Sequence, residues 1–228
     1  MLVRMPRAMI FDLDGTIIKL TLPLEAMRSE TKLFYTIKGF PADMFEPADG
    51  ISSSTEKAKD YFLRNGTSLE QWHEMEREVD ILNEVYELSS AKDVVLIDGA
   101  LDTVRDVTAM GIRTAVLTNN SRPAMDIILK KYPLKEYFEL IHTRHESPSP
   151  KPFPDGLLHI LELMGVKPSD AVYVGDAMID GVAASRAGIE FWGVASGETS
   201  SEVLRASGAR YVFSHISEIK ARLHDALA

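Results

Sequence analysis

Met9-Ile10-Phe11-Asp12-Leu13-Asp14-Gly15-Thr16 sets an apolar run directly against two carboxylates. Ala8 to Phe11 reads as a short buried strand. A parallel sheet gathers ligands at the carboxyl ends of its strands, so this run delivers two acids to the edge where such folds do chemistry. Residues two apart on an extended chain share a face. The turn that Gly15 permits lets Asp12 and Asp14 converge on one ligand while Leu13 points into the core. Carboxylates this close stay ionised only with a cation or a proton between them. Magnesium suits the pair, because it takes one or two carboxylates and completes its shell with substrate phosphate and water. A calcium loop is excluded, since it requires glycine sixth, a bidentate glutamate twelfth and entry from a helix. An acidic surface turn is the plain alternative for the motif taken alone.

Three later segments add to it. Ile112 to Leu117 reads as a second strand ending in Thr118-Asn119-Asn120-Ser121, and hydroxyls, amides and a helix start at a strand's end make an oxyanion cradle. Pro148-Ser149-Pro150-Lys151-Pro152-Phe153-Pro154 flanks a single lysine with prolines that remove backbone freedom. Ala171-Val172-Tyr173-Val174-Gly175-Asp176 is another apolar strand ending in an acid, with Asp180 four residues on. If a helix opens after Gly175, Asp176 and Asp180 lie one turn apart and face the same way.

With these four segments in this order the sequence resembles the haloacid dehalogenase superfamily of phosphotransfer enzymes. Asp12-Leu13-Asp14-Gly15-Thr16, Thr118, Lys151 and Gly175-Asp176-Ala177-Met178-Ile179-Asp180 match its signatures in turn. The likeness covers residues 4 to 18 and about 92 to 213. It points to the phosphatase branch with a helical cap of the C1 type, like the phosphoglycolate phosphatases and β-phosphoglucomutase. The resemblance implies Asp12 as nucleophile, forming an aspartyl phosphate, and Asp14 as the acid, then base, for leaving alcohol and water. It implies Thr118 and nearby amides, Asn119 among them, as the phosphoryl cradle, and Lys151 as the charge-neutralising group. Magnesium would be held by Asp12, Asp176 and the backbone carbonyl of Asp14, with Asp180 a ligand or a partner that orients ligands. Relatives that cleave carbon–halogen or carbon–phosphorus bonds typically lack the acid at the Asp14 position, so its presence favours an oxygen leaving group. Phosphate monoester hydrolysis is therefore expected. A phosphomutase is the alternative, and a non-catalytic phosphate-binding module would be expected to have lost one of these groups.

Composition trims the choices. A net charge of −9 leaves no nucleic-acid footprint, and no cysteine excludes disulfides, thiolate zinc and cysteine nucleophiles. No apolar run is long enough to cross a membrane. The basic start, Met1 to Arg7, is followed by Asp12 and Asp14, which interrupt any signal-peptide core. A cytoplasmic enzyme acting on a small phosphorylated substrate is expected.

The strand–helix rhythm breaks between Ile18 and Asp93, which predicts an α/β core of residues 1–18 and 92–228 and a helical cap of residues 19–91. The core is expected to be a doubly wound parallel sheet, Rossmann-like. Within the insert, helices are predicted over Pro23–Lys38, Thr55–Arg64 with Ser54 or Thr55 as N-cap, and Thr67–Leu88 with Ser68 and Gln71 as a capping box. Their apolar faces include Leu33 and Ile37 in the first, and Trp72, Met75, Val79, Leu82 and Val85 in the third. Arg28 and Lys32, one turn apart, are the candidates for an anionic group on the substrate; a solvated face is the plainer reading. Lys19-Leu20-Thr21 stands where many helical-capped relatives carry an acid followed by serine or threonine, which argues against copying a known substrate. Arg122 could reach the cleft, His142, Arg144 and His145 read as surface loop, and Trp72 and Trp192 as core.

Overall fold

The computed structural model describes residues 5–196 and 199–225; part of the basic N-terminal run lies outside them. Two compact units divide the chain, Met1–Leu20 with Asp93–Ala228, and Thr21–Lys92.

The chain enters through β1 (Ala8–Phe11) and the short β2 (Ile18–Lys19). The second unit follows, with α1 (Leu24–Ile37), α2 (Ile51–Arg64) and α3 (Leu69–Ser90). The core resumes at β3 (Val95–Leu96), α4 (Ala100–Ala109), β4 (Arg113–Leu117), α5 (Arg122–Lys131) and β5 (Leu140–His142). It closes with α6 (Asp155–Met164), β6 (Ala171–Gly175), α7 (Met178–Ala187), β7 (Glu190–Val194), α8 (Ser201–Ala206), β8 (Tyr211–Phe213) and α9 (Glu218–Asp225).

Six strands form one parallel sheet in the order β5-β4-β1-β6-β7-β8. This is the doubly wound α/β arrangement that the strand–helix rhythm predicts. Strand β1 sits where the order reverses, the place at which such sheets open a crevice for ligands. All four of its residues are buried, as a strand covered by helices on both faces requires. Register then aligns the chemistry. Phe11 pairs with Val116 on one side and Val174 on the other, so Asp12, Thr118 and Asp176 emerge together at the carboxyl edge. Beyond β1, the amides of Ile17 and Ile18 both donate to Leu13 O, and Gly15 takes φ +77°. Strands β2 and β3 pair antiparallel, tying the end of this loop to the chain that resumes the core. This ribbon is too short to leave a periodic signal in the sequence.

The helical unit has its own core of Tyr35, Phe40, Ala58, Phe62, Trp72, Met75 and Val79. Tyr35 and Trp72 stack with ring centroids 5.9 Å apart. The capping box of α3 forms as expected: Gln71 N donates to Ser68 Oγ at 3.2 Å, and Ser68 N to Gln71 Oε1 at 3.0 Å. Helix α2 starts earlier than predicted. Gly50 is its N-cap, in an extended conformation, while the Ser53 and Thr55 hydroxyls bond back to Gly50 O and Ile51 O and Ser54 is buried. Hydroxyls near a helix start can cap it or bond back to it, and here they bond back. The buried stripe of α1 is Met27, Thr31 and Tyr35, so Leu33 and Ile37 are exposed, contrary to the expected face. The stripe of α3 continues from Val79 to Asn83 and Glu87, which leaves Val85 63% exposed. The polar switch is stabilised locally: Asn83 Nδ2 donates to Val79 O and to Thr31 Oγ1.

Truncation should separate the two kinds of position. Trp72→Ala is expected to cost about 3–5 kcal/mol, the usual range for deleting a buried aromatic. Val85→Ala should stay within about 0.5 kcal/mol. Urea titrations of the two variants, followed by circular dichroism, check the contrast.

Candidate active site

Asp12 follows β1 directly, and its amide donates to Val174 O at 2.7 Å, which extends the β1–β6 ladder by one residue. Its carboxylate is buried and accepts from Lys151 Nζ at 2.5 Å. The same ammonium donates to Asp180 Oδ1 at 2.7 Å and to the Tyr173 hydroxyl at 2.9 Å. Tyr173 in turn donates to Asp180 Oδ1 at 2.9 Å. Asp180 is completely buried, and its second oxygen accepts from Ala177 N at 3.0 Å.

Asp176 and Asp180 meet in a different way from a shared helix face. Helix α7 begins only at Met178, so Asp176 precedes it, and Asp180 curls back over the helix start to bond Ala177 N. Oxygens of Asp12, Asp176 and Asp180 come within 4.8 Å of one another. Gly15 makes room for this group: a Cβ there would stand 2.2 Å from Asp176 Oδ2. Asp14 turns otherwise. Its Oδ1 accepts from Leu20 N at 2.9 Å, and the gathered acids do not include it. Its backbone carbonyl is the atom the family resemblance gives to a metal.

The electrostatics follow from crowding and burial. Burial pushes the Asp12 carboxyl up to about 7; the Lys151 ammonium opposes the rise and Asp180 and Asp14 add to it. Burial, then the negative charges of Asp12 and Asp180, push Asp176 up to about 8. Burial works against the Lys151 ammonium, but Asp12 and Asp180 outweigh it and hold the group above the usual lysine range. Burial and the neighbouring acids keep the Tyr173 phenol protonated. Two buried acids and one half-buried one, with a single ammonium, are short of positive charge, and oxygen donors of this kind suit a hard divalent cation.

Thr118 is buried at the end of β4, and its Oγ1 accepts from Asn120 N at 3.1 Å. Ser121 caps α5, accepting from Ala124 N, so the helix start opens beside Thr118. Asn119 spends its side chain on Lys151. Asn119 Nδ2 donates to Lys151 O, and Lys151 N donates to Asn119 Oδ1, each at 2.9 Å.

Several other sequence candidates have partners or surroundings of their own. In the helical unit Lys32 Nζ donates to Glu46 O at 2.8 Å, and Arg28 is exposed. Arg122 is bound to Glu146 and to Ile141 O, which ties it to the end of β5 and the segment after it. His142 is buried on β5, 5.1 Å from the His159 ring, where a surface loop was expected. Trp72 and Trp192 are core, as read. Tyr173 is the site residue that sequence reasoning passed over. Its signal was a phenol in the middle of an otherwise apolar strand, since a buried Tyr hydroxyl needs a partner.

Comparison with known proteins agrees with the fold. The family model of haloacid dehalogenase-like hydrolases matches residues 9–194. Phosphoglycolate phosphatase 1 of Pseudomonas aeruginosa is 29% identical over 200 residues, covering 82% of this chain and 68% of that protein. A phosphoglycolate phosphatase of Shigella dysenteriae is 24% identical, covering 93% and 90% of the two chains. Among solved structures, a hydrolase from Pseudomonas syringae superposes with a TM-score of 0.66 at 20% identity, covering 96% of this chain and 98% of that one. A haloacid dehalogenase family hydrolase from Deinococcus radiodurans, solved with bound phosphate and sodium, gives 0.61 at 21%, covering 96% of each. The chain belongs to the haloacid dehalogenase-like hydrolase family. Within that family it is a phosphatase, an enzyme that hydrolyses phosphoric monoesters.

The Arg122–Glu146 tie beside the site gives a pH test. Burial opposes ionisation of Glu146, but bonds from Arg122 and from Thr143 N and Oγ1 outweigh it and bring its carboxyl down to about 2 from 4.5. A depressed folded value contributes stability above the unfolded value and loses it as pH falls through the folded one. Glu146→Gln should therefore lower the melting temperature at pH 7, with the deficit shrinking between pH 4.5 and about 2. Thermal melts of both proteins across that window check it; a constant deficit would rule out the ionic cause.

Proposed function

We propose that this phosphatase works through an aspartyl phosphate on Asp12, with magnesium, on a small phosphorylated metabolite. The observation that carries the reading is the Asp12 carboxylate at the end of the central strand, paired with Lys151 at 2.5 Å and gathered with Asp176 and Asp180. An Asp12 oxygen attacks phosphorus, and the alcohol leaves with a proton from Asp14. Water then attacks the phosphoenzyme, gives its proton back to Asp14, and frees inorganic phosphate and Asp12. Thr118 and the amides at the start of α5 hold the phosphoryl oxygens, and Lys151 offsets the charge that builds between Asp12 and phosphorus. Asp12, Asp176, the Asp14 carbonyl and Asp180 would hold the magnesium ion, which supplies charge neutralisation at the phosphoryl group.

Residues 21–92 are proposed as the cap that selects the substrate, with Arg28 the residue in it best suited to an anionic substituent and Lys32 committed in part to Glu46 O. The relatives' activity puts 2-phosphoglycolate first among the metabolites to screen.

Two substitutions separate the acids. Asp12→Asn should abolish phosphoenzyme formation, because an amide cannot serve as the attacking carboxylate. Asp14→Asn should slow turnover of alkyl phosphates by roughly 10²–10⁴-fold, the usual worth of a general acid–base. It should spare the first step with p-nitrophenyl phosphate, whose leaving group needs little protonation. Acid-quench trapping of the phosphoenzyme and steady-state rates check both; wild-type turnover in Asp12→Asn would move the nucleophile elsewhere.

Metal binding should be linked to protons. Asp12 and Asp176, raised to about 7 and 8, hold protons in the metal-free folded state that the unfolded chain has released. Metal-free stability should then be greatest below the unfolded value and fall as pH rises through 7 to 8. A divalent cation takes the place of those protons. Magnesium should therefore raise the melting temperature more at pH 8 than at pH 5, and excess chelator should abolish turnover. Equal shifts at both pH values, or full activity in chelator, would exclude this acid cluster as the metal site.

A further inference from the structure

Tyr173 stands in the middle of β6 and is fully buried. Its ring lies 6.3 Å from that of Phe191, within the apolar core that the sheet shares with α6 and α7. Packing alone would be met by phenylalanine. The hydroxyl does something else. It accepts from Lys151 Nζ and donates to Asp180 Oδ1, both at 2.9 Å, while the ammonium also donates to Asp180 Oδ1 at 2.7 Å. The three groups close a ring of hydrogen bonds in which the phenol both gives and takes. Its own position is set by the strand, the most rigid element available. An ammonium held only by Asp12 and Asp180 could swing along the line between the two carboxylates. The phenol oxygen supplies a third, off-line direction and fixes Nζ at 2.5 Å from Asp12 Oδ1. Misplacing a catalytic group by about 1 Å can cost about a hundredfold in rate.

We propose that Tyr173 is a positioning residue for phosphoryl transfer, its hydroxyl bridging Lys151 and Asp180 from the core side so that the ammonium stays against Asp12. The inference rests on the reading of Asp12 as nucleophile and Lys151 as its charge partner. It assigns to the core strand itself a part in the chemistry that the loop motifs alone do not supply.

The test compares wild type, Tyr173→Phe and 4-fluorophenylalanine at position 173, which refills the hydroxyl's volume but cannot bridge. Positioning predicts that the burst of p-nitrophenol from p-nitrophenyl phosphate slows about tenfold or more in Tyr173→Phe, and that the fluorinated ring does not restore it. A packing role predicts recovery with the fluorinated ring. The second readout needs no substrate and no metal. Burial and three oxygen partners should keep the Lys151 ammonium protons slow to exchange, giving an observable ¹⁵Nζ signal in the wild-type protein that is broadened or lost in both variants. A burst within twofold of wild type in folded Tyr173→Phe, rescue by the fluorinated ring, or an unchanged ammonium signal would each overturn the proposal. Should wild type release no p-nitrophenol, the phosphoryl-transfer reading fails by itself, and the ammonium spectra still decide whether the bridge holds Lys151.

Discussion

One buried ammonium organises this molecule. Lys151 Nζ is bonded to Asp12, Asp180 and Tyr173 in a place that solvent hardly reaches. An isolated charge there would be costly, and removing one partner of a buried ion pair typically costs about 3–5 kcal/mol because the other is left uncompensated. The fold meets that requirement from separate pieces of chain. Strand β1 brings Asp12, β6 brings Tyr173, the start of α7 brings Asp180, and the proline-rich segment before α6 brings the lysine. Asn119, from the end of β4, grips the lysine's backbone with two bonds. The strand order β4-β1-β6 and its register are what let these pieces meet.

The same arrangement carries a deliberate imbalance. Asp12, Asp176 and Asp180 crowd around one ammonium, and Gly15 keeps clear the space that a side chain would take from Asp176. Crowded acids raise one another's affinity for protons, and whatever cation relieves them binds with that strain released. Under the proposed reading, the protonation, metal affinity and stability of this site are one coupled property. The Tyr173 bridge adds rigidity at the point where a flexible lysine side chain would otherwise blur the geometry.

Legibility along the chain followed the physics of each signal. Strands β1, β4 and β6 were legible because parallel strands buried on both faces are continuous apolar runs. The α3 capping box was legible because its two partners are three residues apart. The faces of α1 and α3 were not. Leu33, Ile37 and Val85 have the apolar character of core residues yet are exposed, because Tyr35 and Trp72 fix the packing and a buried Asn83–Thr31 pair continues the stripe. Helix α2 was misplaced at its start because Ser53, Ser54 and Thr55 offer hydroxyls that could serve either as caps or as back-bonded helix residues.

The sequence by itself determined the class of the fold and singled out the acids, the threonine and the lysine, because these are local facts of residue type and spacing. Tertiary structure alone decided where their side chains go. Asp14 turns to Leu20 N, Asn119 to the Lys151 backbone, and Asp180 back over the start of its own helix. Tyr173, read along the chain as one more apolar strand residue, becomes the bridge between Lys151 and Asp180. Lys151 lies 139 residues from Asp12 and 22 from Tyr173. A hydrogen bond is short-ranged and directional, so partners this far apart in the chain are chosen only when the sheet register has set their positions.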